Sequence, residues 1–343
     1  MNAPAVTVLM PAYNAERRLA EAVESILAQT FEDFEFLIID DGSDDGTPEI
    51  LQEYARKDAR IRLERNERNL RIAATLNRGL ALAAAPLIAR MDADDVSLPN
   101  RLEKQVAFMR ANPDIAVYSG GLAMYDAPDE IRLPPAEHEA ICAQMFFASG
   151  IHHAVSIYRK ELILAYAGGY DASMPPAEDY DLWARLSMHP GVRFANLPEV
   201  LYRYRHHDKN AQYAEQKQDK ANLVRKKMLR TLGLTPGDEE FAAHLALSLW
   251  SKTLSRSELW TCKKWLDTFN AAARTVEPAC GRKALERELK RRWRWLCENN
   301  IAACAFGLIY FRSAFADFSA KQMVIFMKRT IKKLLQRLFG TAA

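Results

Sequence analysis

No stretch of the 343 residues is apolar for long enough to cross a bilayer. The longest run, Ile301–Phe311, falls well short of a spanning helix, and Arg312, Asp317 and Lys321 interrupt its continuation. Cysteine is scarce: Cys142, Cys262, Cys280, Cys297 and Cys304 are odd in number, widely spaced and without a CxxC pair. That pattern speaks against a disulfide framework and a thiolate zinc site, and predicts reduced thiols in a cytoplasmic protein. The amino terminus, MNAPAVTVLM, lacks the charged flank and long apolar core of a secretory leader, so the sequence predicts a chain that is not exported. A charge excess is missing as well. The formal net charge of +3 leaves no global field for nucleic acid.

With 49% hydrophobic residues, the chain can form one large core and an appended smaller unit. Its first hundred residues alternate β-branched runs with helical periodicity. VTVLM is a strand, and a helix from about Glu16 carries Leu19, Val23, Ile26 and Leu27 on one face. FEFLIID is a second strand, with Thr47-Pro48 as the cap and first turn of a second helix. RIRLER, a helix through Leu76 and Leu80, and PLIARM continue the βαβα order of a mostly parallel sheet with helices on both faces. From about Ala116 the pattern becomes mixed, with IAVYSG, AVSIYR, VRFANL and VLYRYR as short strands between two helices. The expected fold class is α/β, a Rossmann-like sheet over residues 1–210, followed by an α-helical region over 211–320 and a basic amphipathic helix over 321–343. Tryptophans at helical spacing in the helical region, Trp250, Trp260, Trp265, Trp293 and Trp295, read as core.

Ligands of such sheets sit at the carboxyl ends of the strands. Two acid clusters end strands there: Asp40 and Asp41 in IIDDGSDDGT, and Asp92, Asp94 and Asp95 in MDADD. Asp92 and Asp94 are two apart in extended chain, so both carboxylates project to one side and repel. A divalent cation relieves that repulsion, and hard oxygen ligands shared with a diphosphate suit Mg²⁺ or Mn²⁺. Taken alone, MDADD reads more readily as a solvated acidic turn that caps the next helix.

PAYN, DDGSDDGT and MDADD occur in this order, each at the end of a strand. The chain thereby resembles glycosyltransferase family 2, inverting nucleotide-diphospho-sugar transferases of the GT-A fold, over about residues 5 to 210. The resemblance places Pro11, Ala12, Tyr13, Asn14, Asp40, Asp41, Arg71, Asp92 and Ala93 on the nucleotide sugar. It implies that Tyr13 lines or stacks on the base, that Asp40 accepts a hydrogen bond from it, that Asp92 contacts ribose or metal, and that Asp94 ligates Mn²⁺ or Mg²⁺. The stretch GGYDASMPPAEDYDLWARL resembles the family's acceptor half, where Glu178 and Asp179 start a helix. An attacking hydroxyl needs its proton removed, which assigns Asp179 as general base. Acids in a first helical turn also complement the helix dipole, the commonest reason for their presence. YRYRHHDKN resembles the stretch that returns a histidine to the metal. His207 fits that spacing, with His206 as the alternative and Arg205 as a further charge. Leu70 and Gln212 depart from the pattern, where glycine and serine are usual. His153 has a family counterpart and reads equally well as a structural histidine.

Other readings lack their marks. PAYNAE has no glycine, which speaks against a dinucleotide-binding loop and against the arginine-containing glycine-rich loop of a metal-dependent nucleotidyltransferase, an alternative that shares the fold and the metal. A processive synthase would add membrane spans and QxxRW, whereas LKRRW at Leu289–Trp293 has leucine for glutamine. An inactive transferase-like scaffold is the alternative from another class, and Asp92, Asp94 and Asp179 speak against it. The resemblance implies a non-processive hexosyltransferase that uses a UDP-sugar and a glycan or lipid-linked acceptor in bacterial cell-surface polysaccharide assembly, such as lipopolysaccharide. The tail supports peripheral attachment at the cytoplasmic face of the inner membrane. Val324, Met327, Ile331, Leu334, Leu335 and Leu338 form one stripe, six cations from Lys321 to Arg337 cover the rest, and no acid follows Asp317.

Overall fold

The computed structural model describes residues 3–206 and 211–300, and beyond them only Phe315, Val324 and Lys328. The chain divides into two compact units, Met1–Met145 with Ser149–Val224, and Phe146–Ala148 with Arg225–Ala343. His207 and nearly all of the segment 321–343 lie outside the described residues. Among the described residues, no helix is long and apolar enough to cross a membrane.

The first unit opens with β1 (Val6–Ala12), α1 (Leu19–Leu27), β2 (Phe34–Asp40), α2 (Thr47–Lys57), β3 (Ile61–Arg65), α3 (Ile72–Leu82) and β4 (Leu87–Arg90). These four strands pair in parallel in the order β3-β2-β1-β4. Their side chains are almost wholly buried in β1, β2 and β4, as expected for strands covered on both faces. α1 meets the sheet through Leu19, Ala22, Val23 and Ile26. It starts at Leu19 rather than Glu16, after a turn in which the Arg18 and Leu19 N–H groups both reach the Ala15 carbonyl at 3.0 Å. Thr47 is the first residue of α2 and not its cap. Its hydroxyl accepts instead from the Ala15 N–H at 2.8 Å, and Asp45 accepts from the Thr47 N–H.

A mixed extension follows: β5 (Val96–Ser97), α4 (Arg101–Ala111), β6 (Ile115–Met124), β7 (Ile131–Arg132), α5 (His138–Gln144), β8 (Ile157–Arg159), α6 (Lys160–Ala167), α7 (Glu178–Ser187), β9 (Arg193–Tyr204) and α8 (Ala211–Arg230). The sheet continues from β4 through β8, β6 and β9 to β5, with β7 paired to β6. VRFANL and VLYRYR form one strand, β9, rather than two. Its register against β6 slips around Gly120 and Gly121, opposite Pro198, which has no N–H to give the ladder. AVSIYR is strand only from Ile157, and His153–Val155 is a short 3₁₀ turn.

The second unit is helical, with α9 (Asp238–Ser248), α10 (Arg256–Thr275) and α11 (Arg282–Asn299). Gly233 ends the preceding helix in the left-handed conformation, φ 74°, as its position in the sequence suggests. Trp265 and Trp293 are core residues, whereas Trp260 is 44% exposed. Buried His244 accepts from Trp265 and donates to the Phe146 carbonyl at 2.9 Å, and burial lowers it to about 3, so it stays neutral.

Candidate functional site

Two loops at the carboxyl end of the parallel strands interlock. The Asn14 N–H reaches the Ser43 hydroxyl at 3.0 Å, and the Asn14 side chain accepts from the Asp44 N–H at 3.1 Å. Asp45 accepts from the Glu16 N–H, and Glu16 in turn accepts from the Gly46 N–H at 2.8 Å. PAYN and DDGSDDGT are therefore one polar knot that satisfies backbone groups no strand or helix serves. Gly42 makes the knot possible. At φ 75° a Cβ there would lie 2.6 Å from the Arg68 backbone.

A cavity of about 900 Å³ opens over this knot. Its wall includes Pro11, Ala12, Tyr13, Asn14, Asp41 and Arg71 from the first half, Asp92, Ala93 and Asp94 from the turn after β4, and Glu178 and Asp179 from α7. Tyr13 is 47% exposed, an aromatic face turned to solvent at the mouth of a polar pocket. Among the described residues assigned to the nucleotide sugar, Asp40 is the one that the wall omits. Successive strand residues point to opposite faces, so Asp40 and Asp41 diverge. Asp40 is buried, accepting from the Ser43 N–H at 3.0 Å beside the Arg65 guanidinium at 3.1 Å. Asp41 turns to the pocket, accepting from Asn66 and from the Leu70 N–H at 2.9 Å.

The turn after β4 crowds three acids. Asp95 is pushed up to about 8, first by burial and then by the charges of Asp92 and Asp94. The same charges hold the Tyr204 hydroxyl above its ordinary range, behind burial as the larger cause. Surplus negative charge on hard oxygen donors fits Mg²⁺ or Mn²⁺. Among the described residues, no group of three or more His, Cys, Asp or Glu side chains is placed to hold a metal ion by itself. Arg205 is occupied elsewhere. Its N–H donates to Asp95 at 2.7 Å, its guanidinium reaches the Asp94 carbonyl at 3.0 Å and Glu21, and it stacks on Tyr125 at 3.7 Å. It is a strut that fastens β9 to the acid turn, rather than a further charge for a ligand.

On the facing wall, α7 brings two carboxyls to the cavity. Glu178 is pushed up to about 7, first by burial and then by the charge of Asp179. Asp179 is also raised, by burial, against the opposing charge of Lys217 from α8. Asp179 accepts from the Tyr180 N–H at 2.7 Å, which orients the carboxylate at the helix start. His153 and Arg90 line the same cavity. The His153 ring is 2.8 Å from the Tyr170 hydroxyl, and burial keeps it neutral. Lys217, Arg132 and Arg90 also line the cavity without a place in the sequence reading. Arg90 alone carried a visible signal, as the one charge in the buried strand LIAR.

The family description Glycosyl transferase family 2 matches residues 7–164. The O-antigen biosynthesis glycosyltransferase WbnJ of Escherichia coli is 34% identical over 214 residues, which cover 60% of this chain and 82% of WbnJ. The chain belongs to glycosyltransferase family 2 and is a glycosyltransferase. S. aureus TarS 1-349 in complex with UDP-GlcNAc superposes with a TM-score of 0.54 at 17% identity, over 90% of this chain and 91% of TarS 1-349. The mannosyltransferase PcManGT from Pyrobaculum calidifontis, in complex with GDP-Man and Mn²⁺, gives 0.53 at 19% identity, over 91% and 89% of the two chains. These likenesses are of fold, and they make it the GT-A glycosyltransferase fold.

Proposed function

We propose that the chain is a non-processive, inverting transferase that moves a sugar from a nucleoside diphosphate donor, by preference a UDP-sugar, to a hydroxyl of a glycan or lipid-linked acceptor. The observation that carries this reading is that Tyr13, Asp92, Asp94 and Asp179 share one cavity. Tyr13 offers its face to the base. Asp41, rather than Asp40, is the acceptor on that wall for a base N–H. Asp94 would hold Mg²⁺ or Mn²⁺, which supplies positive charge to the departing diphosphate, and Asp92 adds negative charge beside it. His207, from beyond the described residues, completes the expected ligands. PcManGT with Mn²⁺ and TarS with UDP-GlcNAc support both the metal and the donor class by likeness of fold.

The chemistry falls to α7. As the acceptor oxygen forms its bond to the anomeric carbon, the bond to the diphosphate oxygen breaks on the opposite face, and the acceptor proton passes to Asp179. One displacement inverts the anomeric centre. A screen of nucleotide sugars with Mn²⁺ should show thermal stabilisation by one of them, expected to be a UDP-sugar, and no shift by any donor would remove the reading.

Relatives such as WbnJ suit a role in bacterial surface polysaccharide assembly. The basic segment from Lys321 serves attachment to an anionic membrane surface, where a lipid-linked acceptor resides. The whole chain should then pellet with anionic vesicles and be released by salt, whereas a chain ending at Ala320 should stay in the supernatant. Equal behaviour of the two would contradict attachment through the tail.

A further inference from the structure

Arg90 ends β4 and is only 1% exposed, yet it lines the cavity. Its backbone is pinned at both sides. The N–H donates to the Ser156 carbonyl at 2.8 Å, and the carbonyl accepts from buried Arg101. The guanidinium is buried and partly committed as well. One nitrogen grips Asp92 Oδ1 at 2.6 Å, another donates to the Met91 carbonyl, and Nε is buried with no hydrogen-bond partner. A buried cation held this sparingly costs more than packing an apolar side chain in its place, so its presence calls for a task.

We propose that Arg90 is a positioning residue for the sugar-nucleotide site, which grips Asp92 from beneath and offsets its charge, so that Asp92 serves the donor as an oriented acceptor and not as a metal ligand. The inference rests on the proposed function of this cavity. The two carboxylates of MDADD then differ in task although they share a strand end. Asp92 has one oxygen committed to Arg90, its N–H held by the Tyr202 hydroxyl at 3.1 Å, and its side chain 32% exposed to the cavity. Arg90 also lowers Glu178, behind larger causes, and so stands beneath both acid walls.

The test measures Mn²⁺ affinity by electron paramagnetic resonance in the presence of UDP, together with kcat and KM for the donor. Four proteins are compared: wild type, Arg90→Met, Asp92→Asn, and the double variant. Removing Arg90 leaves an uncompensated carboxylate, so Mn²⁺ should bind roughly three- to tenfold more tightly while kcat falls by about tenfold or more. Asp92→Asn leaves an uncompensated cation and should weaken Mn²⁺ binding by a similar factor. The double variant restores the charge balance, so its Mn²⁺ affinity should return to within about threefold of wild type with turnover still low. A double variant that binds Mn²⁺ as weakly as Asp92→Asn would show Asp92 to be a ligand and overturn the inference. If Arg90→Met does not fold, Arg90→Lys takes its place. It keeps the charge and loses the fork, so it should hold Mn²⁺ affinity and lose turnover, and unchanged turnover would overturn the proposal. Wild-type protein that binds neither UDP nor Mn²⁺ would instead overturn the proposed function itself, and this inference with it.

Discussion

Asp179→Asn is expected to lower kcat by roughly 100-fold or more, with little change in the affinity for the nucleotide sugar. A general base acts only as the acceptor proton leaves, so its loss falls on the transition state and spares the ground-state complex. The amide keeps the shape of the carboxylate and its place at the start of α7, where the Asp179 side chain accepts from the Tyr180 N–H. The pH dependence follows with a definite sign. The base works ionised, and burial raises its pKa above the ordinary carboxylate range. Activity should therefore fall as the pH drops through that raised value, at a higher pH than for an exposed aspartate. Glu178, pushed up to about 7, titrates beside it, so the acidic limb belongs to the pair. Lys217 favours the ionised form. Lys217→Met should then move the limb up by roughly half to one pH unit. A limb that moves down, or an Asp179→Asn variant with wild-type kcat, would remove Asp179 from this role.

Asp94→Ala should abolish transfer, by on the order of 1,000-fold or more, and leave the fold intact. The loss arises because the acid turn then has less charge to hold a cation, and the departing diphosphate keeps its own charge uncompensated. The core of the parallel strands does not depend on the residue, since Asp94 lies past β4, partly exposed on the cavity wall. Circular dichroism and thermal melting in the absence of metal should match wild type, whereas the stabilisation by nucleotide sugar with Mn²⁺ should vanish. Full activity of the wild type in excess chelator would contradict the metal's part in this account.

The sheet was legible because its central strands are buried on both faces and carry continuous apolar stretches, as in the FLII of FEFLIID. Polar tasks were harder to read. IIDDGSDDGT holds four aspartates, and sequence gives no sign of which one faces the cavity. Alternation turns Asp41 to the cavity and Asp40 into the loop, while the Asp45 carboxylate serves backbone groups of the knot and Asp44 joins it only through its own N–H, which donates to the Asn14 side chain. One residue of register decides such an assignment, and sequence patterns locate strand ends only to within a few residues. Arg205 escaped for a different reason. Its partners Glu21 and Asp94 lie more than a hundred residues away, so only the closed sheet shows that the charge is committed. Lys217 sits on a helix beyond the strand that returns to the site, where nothing in the local sequence marks it as facing Asp179.

The most direct measurement is anomalous diffraction from crystals grown with UDP and Mn²⁺. The account predicts an anomalous peak within ligand distance of Asp94, with the uracil ring on the face of Tyr13 and its edge towards Asp41. A manganese peak away from the turn after β4, or a nucleotide bound outside this cavity, would contradict it.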